Sequence, residues 1–310
     1  MEKVKVVAPA TLSNLGSGFD VFGMALAEPF DHIEARKTSE PGVTIEAIEG
    51  WGAEGITTDA TLNSAGVAAA EVLKKCEADF GIALTIKKGF RPGSGIGSSG
   101  ASAAGGAVAA NILAGKQLTP RDVVVCAAES ERVTSGSFHA DNVGPCVLGG
   151  FSVIRSYEPL EIKRVQPPKN LGIVIVMPSF TVKTLDARAV IPQQVALHDM
   201  IYEVGNAASL VLGMCYEDIE LIGKSMSDVV IEPARAKLNP GLNEAKEAAI
   251  EAGAAGAFLG GSGPCVIAAY DLTYVDGQTI LEAMLGSYER AKIAIDKTWI
   301  TTWGEGCRSL

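Results

Sequence analysis

The residues most able to do chemistry stand in one run, Arg91-Pro92-Gly93-Ser94-Gly95-Ile96-Gly97-Ser98-Ser99-Gly100-Ala101-Ser102. Glycines at alternate positions let the backbone come close to a ligand. A helix opening at about Ser98 aims its unpaired N–H groups and positive dipole end at the same point. The serine hydroxyls add a phosphate hydrogen bond and a metal ligand, so the run is an anion cradle on physical grounds alone. Gly95, Gly97 and Gly100 also satisfy the dinucleotide fingerprint GxGxxG. Against that reading stand the run's place about ninety residues into the chain, the gap between Lys88 and Gly93, and the want of an acidic strand end about twenty residues later. A Walker-type loop is excluded, since serine stands where its lysine belongs. A serine-capped turn holding nothing is the plain alternative, and so dense a Gly/Ser run makes it the poorer one.

Three further constellations accompany the loop. Pro9-Ala10-Thr11-Leu12-Ser13-Asn14-Leu15-Gly16-Ser17-Gly18-Phe19-Asp20 is either a binding loop or a turn whose Asn and Asp satisfy their own backbone. His139-Ala140-Asp141-Asn142 follows Glu129 and Glu131 on a helical stretch, where a carboxylate is a solvated face or a ligand to a hard cation. Gly260-Gly261-Ser262-Gly263-Pro264 is a late glycine turn.

Elements must hold these groups in place. Alternation over 4–8 predicts an opening strand that Pro9 ends, with further strands near 30–35 and 43–47. Apolar residues at 62, 65, 69, 72 and 73 predict a helix over 61–78, with Asn63 near its start. A strand over 82–86 precedes the glycine loop, and a helix over 99–114, closed by Gly115, follows it. Residues 121–133 read as a helix and 147–154 as a strand interrupted by Gly149 and Gly150. The proline-bearing passage 159–170 is the expected boundary, giving domains 1–165 and 166–310. Beyond it the pattern predicts a buried strand over 171–177 and helices within about 190–230 and over 243–253. Strands over 257–259 and 265–270, a helix over 278–287 and a terminal strand around 299–303 complete a mixed second half.

Composition narrows the function. A chain of 310 residues with 47% apolar and 20% charged side chains can bury a large core, and its length favours two domains. Its net charge of -10 argues against nucleic acid as the main partner, so any polyphosphate must be held by local backbone dipoles, a metal ion and a few arginines. Six cysteines without a CxxC pair, and three histidines, make a zinc site improbable and suit thiols buried in a reducing cytoplasm. Neither a secretory signal nor a membrane-spanning run is evident, and a cytoplasmic enzyme without membrane partners is expected.

Taken in order, the four constellations resemble the GHMP kinases. The glycine loop is similar to that family's PxxGLGSSAA motif, with Ile96 for Leu and Gly100 for Ala, and GGSGP at 260–264 to its third motif. PATxxNLGxGFD at the start and HADNVxP at 139–145 resemble the homoserine kinase branch. The resemblance spans almost the whole chain. It implies an α+β, two-domain GHMP kinase fold: an N-terminal domain like ribosomal protein S5 domain 2 and a ferredoxin-like C-terminal domain. ATP would lie on Pro92, Gly93, Ser94, Gly95, Ile96, Gly97, Ser98, Ser99, Gly100 and Ala101, with Asn63 near the adenine. Mg2+ would be held by Ser99 and Glu131, with Glu129 in reserve.

The same resemblance places L-homoserine. Asp20 would face its ammonium, Arg188 and Arg235 its carboxylate, and Asn14 its hydroxyl, with His139 and Thr184 completing the pocket. Asn142 stands where several family members carry an aspartate base and would orient the attacking hydroxyl, while Asp141 points elsewhere. The implied reaction is direct attack on the γ-phosphate without a clear general base, a step toward threonine, with Asn142 and Thr184 nearest the chemistry. A homodimer is implied as well. The competing functions are another small-alcohol kinase of the family, a nicotinamide-dependent oxidoreductase, and a binding module that keeps the fold without turnover.

Overall fold

The structure, a computed structural model, describes residues 1–134 and 136–310. The chain opens with β1 (Lys3–Ser13), β2 (Phe22–Thr38) and β3 (Gly42–Gly50); α1 (Ser64–Lys75) then carries it back to β4 (Gly81–Lys88), parallel to β3. Next come α2 (Ser98–Leu113), α3 (Pro120–Thr134), α4 (Val143–Leu148), β5 (Phe151–Tyr157) and β6 (Leu160–Val165). The second half runs through β7 (Leu171–Pro178), α5 (Thr184–Ala189), α6 (Leu197–Tyr216), α7 (Ile219–Ser225), α8 (Ile231–Ala236) and α9 (Leu242–Glu251). It ends with β8 (Gly256–Leu259), β9 (Val266–Asp271), α10 (Gly277–Arg290), β10 (Ile295–Thr302) and β11 (Arg308–Ser309).

Among the described residues these strands make two sheets. The larger has the order β11-β1-β2-β4-β3, with β5 pairing β2 and β6 pairing β5; the smaller has the order β10-β7-β9-β8 and is antiparallel throughout. The passage between the sheets is 166–170, but β11 brings the chain's end back to β1.

Two expectations fail for local reasons. Pro9 does not end the first strand: β1 continues past it, and the register with β2 shifts between Pro9 and Thr11, an irregularity that tolerates a residue without an N–H. Residues 147–154 are not one strand. Residues 143–148 wind into α4, Gly149 and Gly150 take φ of 75° and 63°, and only then does β5 begin.

Helix α2 positions the glycine loop. Most of its side chains are buried, and alanines and glycines bring its backbone close to its neighbours. A Cβ on Gly106 would lie 2.5 Å from the Ala65 carbonyl oxygen of α1, so nothing larger allows that approach. Below the loop, Ile96 and Ala101 join Leu12 of β1 and Leu171, Ile173 and Ile175 of β7 in one apolar cluster. This cluster spans both sheets and fixes the loop against each.

Candidate active site

The four constellations converge on one cleft enclosing about 820 Å³. The glycine loop leaves β4, turns at Gly93, Gly95 and Gly97 with φ of 67°, 86° and 73°, and enters α2 at Ser98. Its turns are crowded. A Cβ on Gly97 would fall 2.0 Å from Thr11 Oγ1, and one on Gly95 would fall 2.5 Å from the Gly260 carbonyl oxygen. The late glycine turn is therefore packed directly on the loop, and Cys265 N–H donates to the Ser94 carbonyl at 3.3 Å.

Of the predicted residues, the cleft is lined by Asn14, Asp20, Gly93, Ser94, Gly95, Gly97, Ser98, Ser99, Gly100, Glu131, His139, Asn142, Thr184, Arg188 and Arg235. Four others, Ile96, Ala101, Pro92 and Asn63, lie elsewhere. Ile96 and Ala101 turn their side chains into the apolar cluster, and the Ala101 N–H donates to the Gly97 carbonyl at 2.8 Å, so neither offers a side chain to the cleft. Pro92 lines a neighbouring pocket of about 610 Å³ whose walls include Ile48, Ile56, Leu62 and Ile86 and whose rim shares Gly93, Ser98 and Ser99 with the cleft.

Asn63 lines that apolar pocket too, but its amide is largely occupied by the fold. As N-cap of α1 its Oδ1 accepts from Ala65 and Gly66 N–H at 3.0 and 3.4 Å, and its Nδ2 donates to the Thr57 carbonyl at 2.9 Å. One amide hydrogen is left over.

On the opposite wall, the turn after β1 holds Asn14 and Asp20 in left-handed conformations, φ 70° and 57°. The Asp20 N–H donates to Asn14 Oδ1 at 3.1 Å, and Tyr157 Oη donates to the Asp20 carbonyl at 2.6 Å. With its backbone pinned, Asp20 points its carboxylate at Arg188, whose Nη2 donates to Oδ1 at 3.0 Å. Arg235, on α8, is buried; it donates from Nη1 to the Gly261 carbonyl at 2.9 Å and from Nε to the Ala187 carbonyl at 3.3 Å. The two guanidinium groups lie over Phe19, 5.2 Å (Arg235) and 5.6 Å (Arg188) from its ring centroid. Phe19 was legible only as part of the glycine-rich turn.

Charge in the cleft is uneven. Burial pushes the Arg235 guanidinium below its ordinary value, and Arg188 adds to the effect. Burial also lowers the His139 imidazole, with Asp20 opposing and Arg188 assisting. Asp141 does not point away as the sequence reading held. It is buried and lines the cleft, and burial, with Asp20 and Glu131 nearby, pushes its carboxyl up to about 7. Glu131 lines the cleft, whereas Glu129 accepts from Arg132 Nε at 2.8 Å and does not. Ser99 Oγ lies 2.7 Å from Ser64 Oγ at the mouth of the apolar pocket. One carboxylate and one hydroxyl in the same cleft are hard oxygen donors that suit Mg2+, which takes few protein ligands and completes its shell with phosphates and water.

Two contacts between distant parts of the chain, one buried and one part-buried, carry no signal in the sequence. Lys88, the last residue of β4, is paired with Asp31 of β2, and both side chains are inaccessible. Lys88 Nζ also donates to the Ser98 carbonyl and Ser102 Oγ at 3.1 and 2.9 Å, while Gly89 N–H donates to Asp31 Oδ1 at 3.0 Å. The pair thus pins both ends of the glycine loop. The second contact runs from Thr11 Oγ1 to Asn142 Oδ1, 2.8 Å apart. Two other polar atoms of the cleft residues, Ser94 Oγ and Arg188 Nε, are buried without a hydrogen-bond partner.

Comparison with known proteins agrees with this geometry. Residues 63–150 match the GHMP kinases N terminal domain, and residues 207–285 match the GHMP kinases C terminal domain. The chain is 44% identical over 292 residues to the homoserine kinase of Halorubrum lacusprofundi, covering 94% of each. It is 42% identical over 268 residues to that of Methanococcus maripaludis, covering 86% of this chain and 87% of the other. The crystal structure of homoserine kinase from Cytophaga hutchinsonii superposes with a TM-score of 0.94 at 37% identity, over 100% of this chain and 98% of that one. L. major mevalonate kinase in complex with R-mevalonate shares the fold, with a TM-score of 0.72 at 16% identity over 97% and 96% of the two chains.

Proposed function

The chain belongs to the GHMP kinase family, and we propose that it is a homoserine kinase, transferring the γ-phosphoryl group of ATP to the hydroxyl of L-homoserine. The observation that carries the reading is the juxtaposition in one cleft of a phosphate-type glycine loop with Asp20, Arg188 and Arg235. A zwitterionic alcohol needs an anion, a guanidinium fork and a nearby phosphoryl donor, and the cleft presents all three. The nicotinamide alternative falls with the topology. The loop leaves a sheet in which β4 is antiparallel to β2, not a doubly wound parallel one.

In this reading the base of ATP occupies the apolar pocket walled by Ile48, Ile56 and Ile86, and its phosphates follow the rim at Gly93, Ser98 and Ser99 into the cleft. Exposed N–H groups at the start of α2 bind the phosphates. Ser99 and Glu131 would hold Mg2+, which when bound neutralises the developing phosphate charge. Asp20 takes the substrate's ammonium, while Arg188 and Arg235 take its carboxylate; His139, Thr184 and Asn14 close the pocket. Asn142 orients the hydroxyl. Its amide cannot take a proton near neutral pH, so positioning and electrostatics lower the barrier.

The same reading divides the chain into domains 1–165 and 166–310, with β11 returning to the first. It also makes the protein a homodimer, for which the exposed Leu197, Ile201 and Val204 on α6 are a suitable face. No helix among the described residues is long and apolar enough to cross a membrane. The direct experiment measures ADP release with ATP, Mg2+ and L-homoserine. Homoserine-dependent ADP is the expected result; ATP binding without turnover on any amino alcohol, or a change in nicotinamide absorbance, refutes the proposal.

A further inference from the structure

Thr11 sits where three of the four constellations meet. It is fully buried, its N–H donates to the Ile96 carbonyl at 3.1 Å, its hydroxyl donates to Asn142 Oδ1 at 2.8 Å, and the bare Cα face of Gly97 lies against that hydroxyl. The strand irregularity between Pro9 and Thr11 is what turns the side chain this way, since such bulges re-aim the residue that follows them. Asn142 stands at the N-cap of α4 but makes no side-chain bond to that helix. Its amide is therefore not oriented by its own element.

We infer that Thr11 is a positioning residue for phosphoryl transfer, setting which end of the Asn142 amide meets the attacking hydroxyl. This rests on the homoserine kinase reading above. With Oδ1 held by the Thr11 hydroxyl, Nδ2 is the end left for the substrate. The attacking oxygen then accepts an N–H bond through one lone pair and forms its bond to phosphorus through the other. As that bond forms, the bond from the γ-phosphorus to the bridging oxygen breaks with its electron pair leaving on ADP. The hydroxyl proton passes to a non-bridging oxygen of the transferred group. The Asn142 carbonyl, bonded to Thr11 and lying against the bare face of Gly97, is less available than Nδ2 to take that proton or to hold the hydroxyl in the opposite sense. A misdirected hydroxyl loses near-attack geometry, and small misplacements of this kind lower rates by roughly a hundredfold.

Thr11→Val keeps the shape and removes the hydroxyl, while Thr11→Ser keeps the hydroxyl. In the wild-type background, Thr11→Val should lower kcat by roughly tenfold to a hundredfold with the KM for ATP within about threefold, and Thr11→Ser should recover most of the loss. The decisive measurement is the double variant. Thr11→Val with Asn142→Ala should be no slower than Asn142→Ala alone, because Thr11 acts through that amide. Independent, multiplying losses, or a Thr11→Val enzyme within threefold of wild type, overturn the assignment. A wild-type enzyme silent with homoserine instead strikes at the function itself. Should Thr11→Val not fold, a crystal structure of the wild type with homoserine and a non-hydrolysable ATP analogue decides the matter. An Asn142 amide bonded to both Thr11 Oγ1 and the substrate oxygen supports the role; one parted from Thr11 overturns it.

Discussion

Lys88→Met should destabilise the protein by about 4 kcal/mol at pH 7 but only about 2 kcal/mol at pH 5. The variant strands Asp31, whose side chain has no solvent access, with Gly89 N–H and Ser102 Oγ as its remaining partners. The least costly escape for a buried, uncompensated carboxylate is to take a proton. Burial already raises the Asp31 carboxyl above its ordinary 3.8, against the opposing pull of Lys88. At about 1.4 kcal/mol per pH unit, holding it protonated costs about 4 kcal/mol at pH 7, in line with the loss seen on breaking buried pairs elsewhere. A carboxyl whose folded pKa is raised gains stability as pH falls toward its unfolded value, so the deficit shrinks in acid. Asp31→Asn is the mirror case. It strands Lys88, whose ammonium burial lowers from an ordinary 10.5; shedding that proton costs about 5 kcal/mol at pH 7 and about 2 kcal/mol at pH 9. Removing both charges, as Asp31→Leu with Lys88→Met, should leave the Gly89 N–H and the Ser102 hydroxyl without these partners, at about 1 to 3 kcal/mol each and with no dependence on pH. Urea unfolding followed by circular dichroism at pH 5, 7 and 9 measures all three. Two single-variant deficits that ignore pH, or move in the same direction with it, would refute the electrostatic reasoning and leave packing as the cause.

Three shorter predictions concern the cleft. Gly97→Ala should lose at least tenfold more kcat/KM for ATP than Gly93→Ala in steady-state assays: both have positive φ, but the new Cβ at 97 collides with Thr11 Oγ1 while that at 93 meets nothing nearer than 3.8 Å. Asn63→Ala should lower stability by about 1 kcal/mol through the missing cap, and calorimetric ATP affinity by no more than about tenfold, because one amide hydrogen is all it has left to give. Asp141 has a folded pKa raised from 3.8 to about 7, so its contribution is complete below 3.8 and is lost as pH rises through about 7. Asp141→Asn should therefore be the more stable protein at pH 8, by up to about 4 kcal/mol, and indistinguishable at pH 4 in thermal melts. Its kcat should stay within about tenfold of wild type; a loss of a thousandfold or more would assign the substrate proton to Asp141.

Elements with a strong period or a strong punctuation mark were legible. Helix α1 has one-sided apolar spacing, α2 is an Ala/Gly-rich run closed by Gly115, and β7 is an unbroken apolar run buried on both faces. What failed was short or irregular. Residues 143–148 are Val, Gly, Pro, Cys, Val and Leu, a composition that reads as extended, and α4 is held as a helix by burial between larger elements. Helix α8 is six residues long and carries Pro233, and its start depends on Asp228, whose carboxylate accepts from the N–H groups of Val230, Ile231 and Glu232. β11 is two residues long and exists because β1 offers an edge.

The candidate site was legible to a different depth. Residue types in a motif say which groups could meet a ligand, but only the fold says which still have valence to do so. Asn63 and Asn14 both answer a sequence pattern, yet their side-chain oxygens are already engaged by N–H groups of their own turns. Ile96 and Ala101 lie within the motif, yet face the core. Conversely, Asp31 and Lys88, 57 residues apart, and Thr11 and Asn142, 131 apart, match no local pattern, because the first pairing is made by neighbouring strands and the second by a helix start packed on β1. Buried polar atoms without partners are costly, so those that persist at a cleft are the groups a ligand must satisfy. Ser94 Oγ and Arg188 Nε are such atoms, one on the phosphate loop and one on the carboxylate side. They lie where the two reactants of the proposed transfer would have to meet the protein.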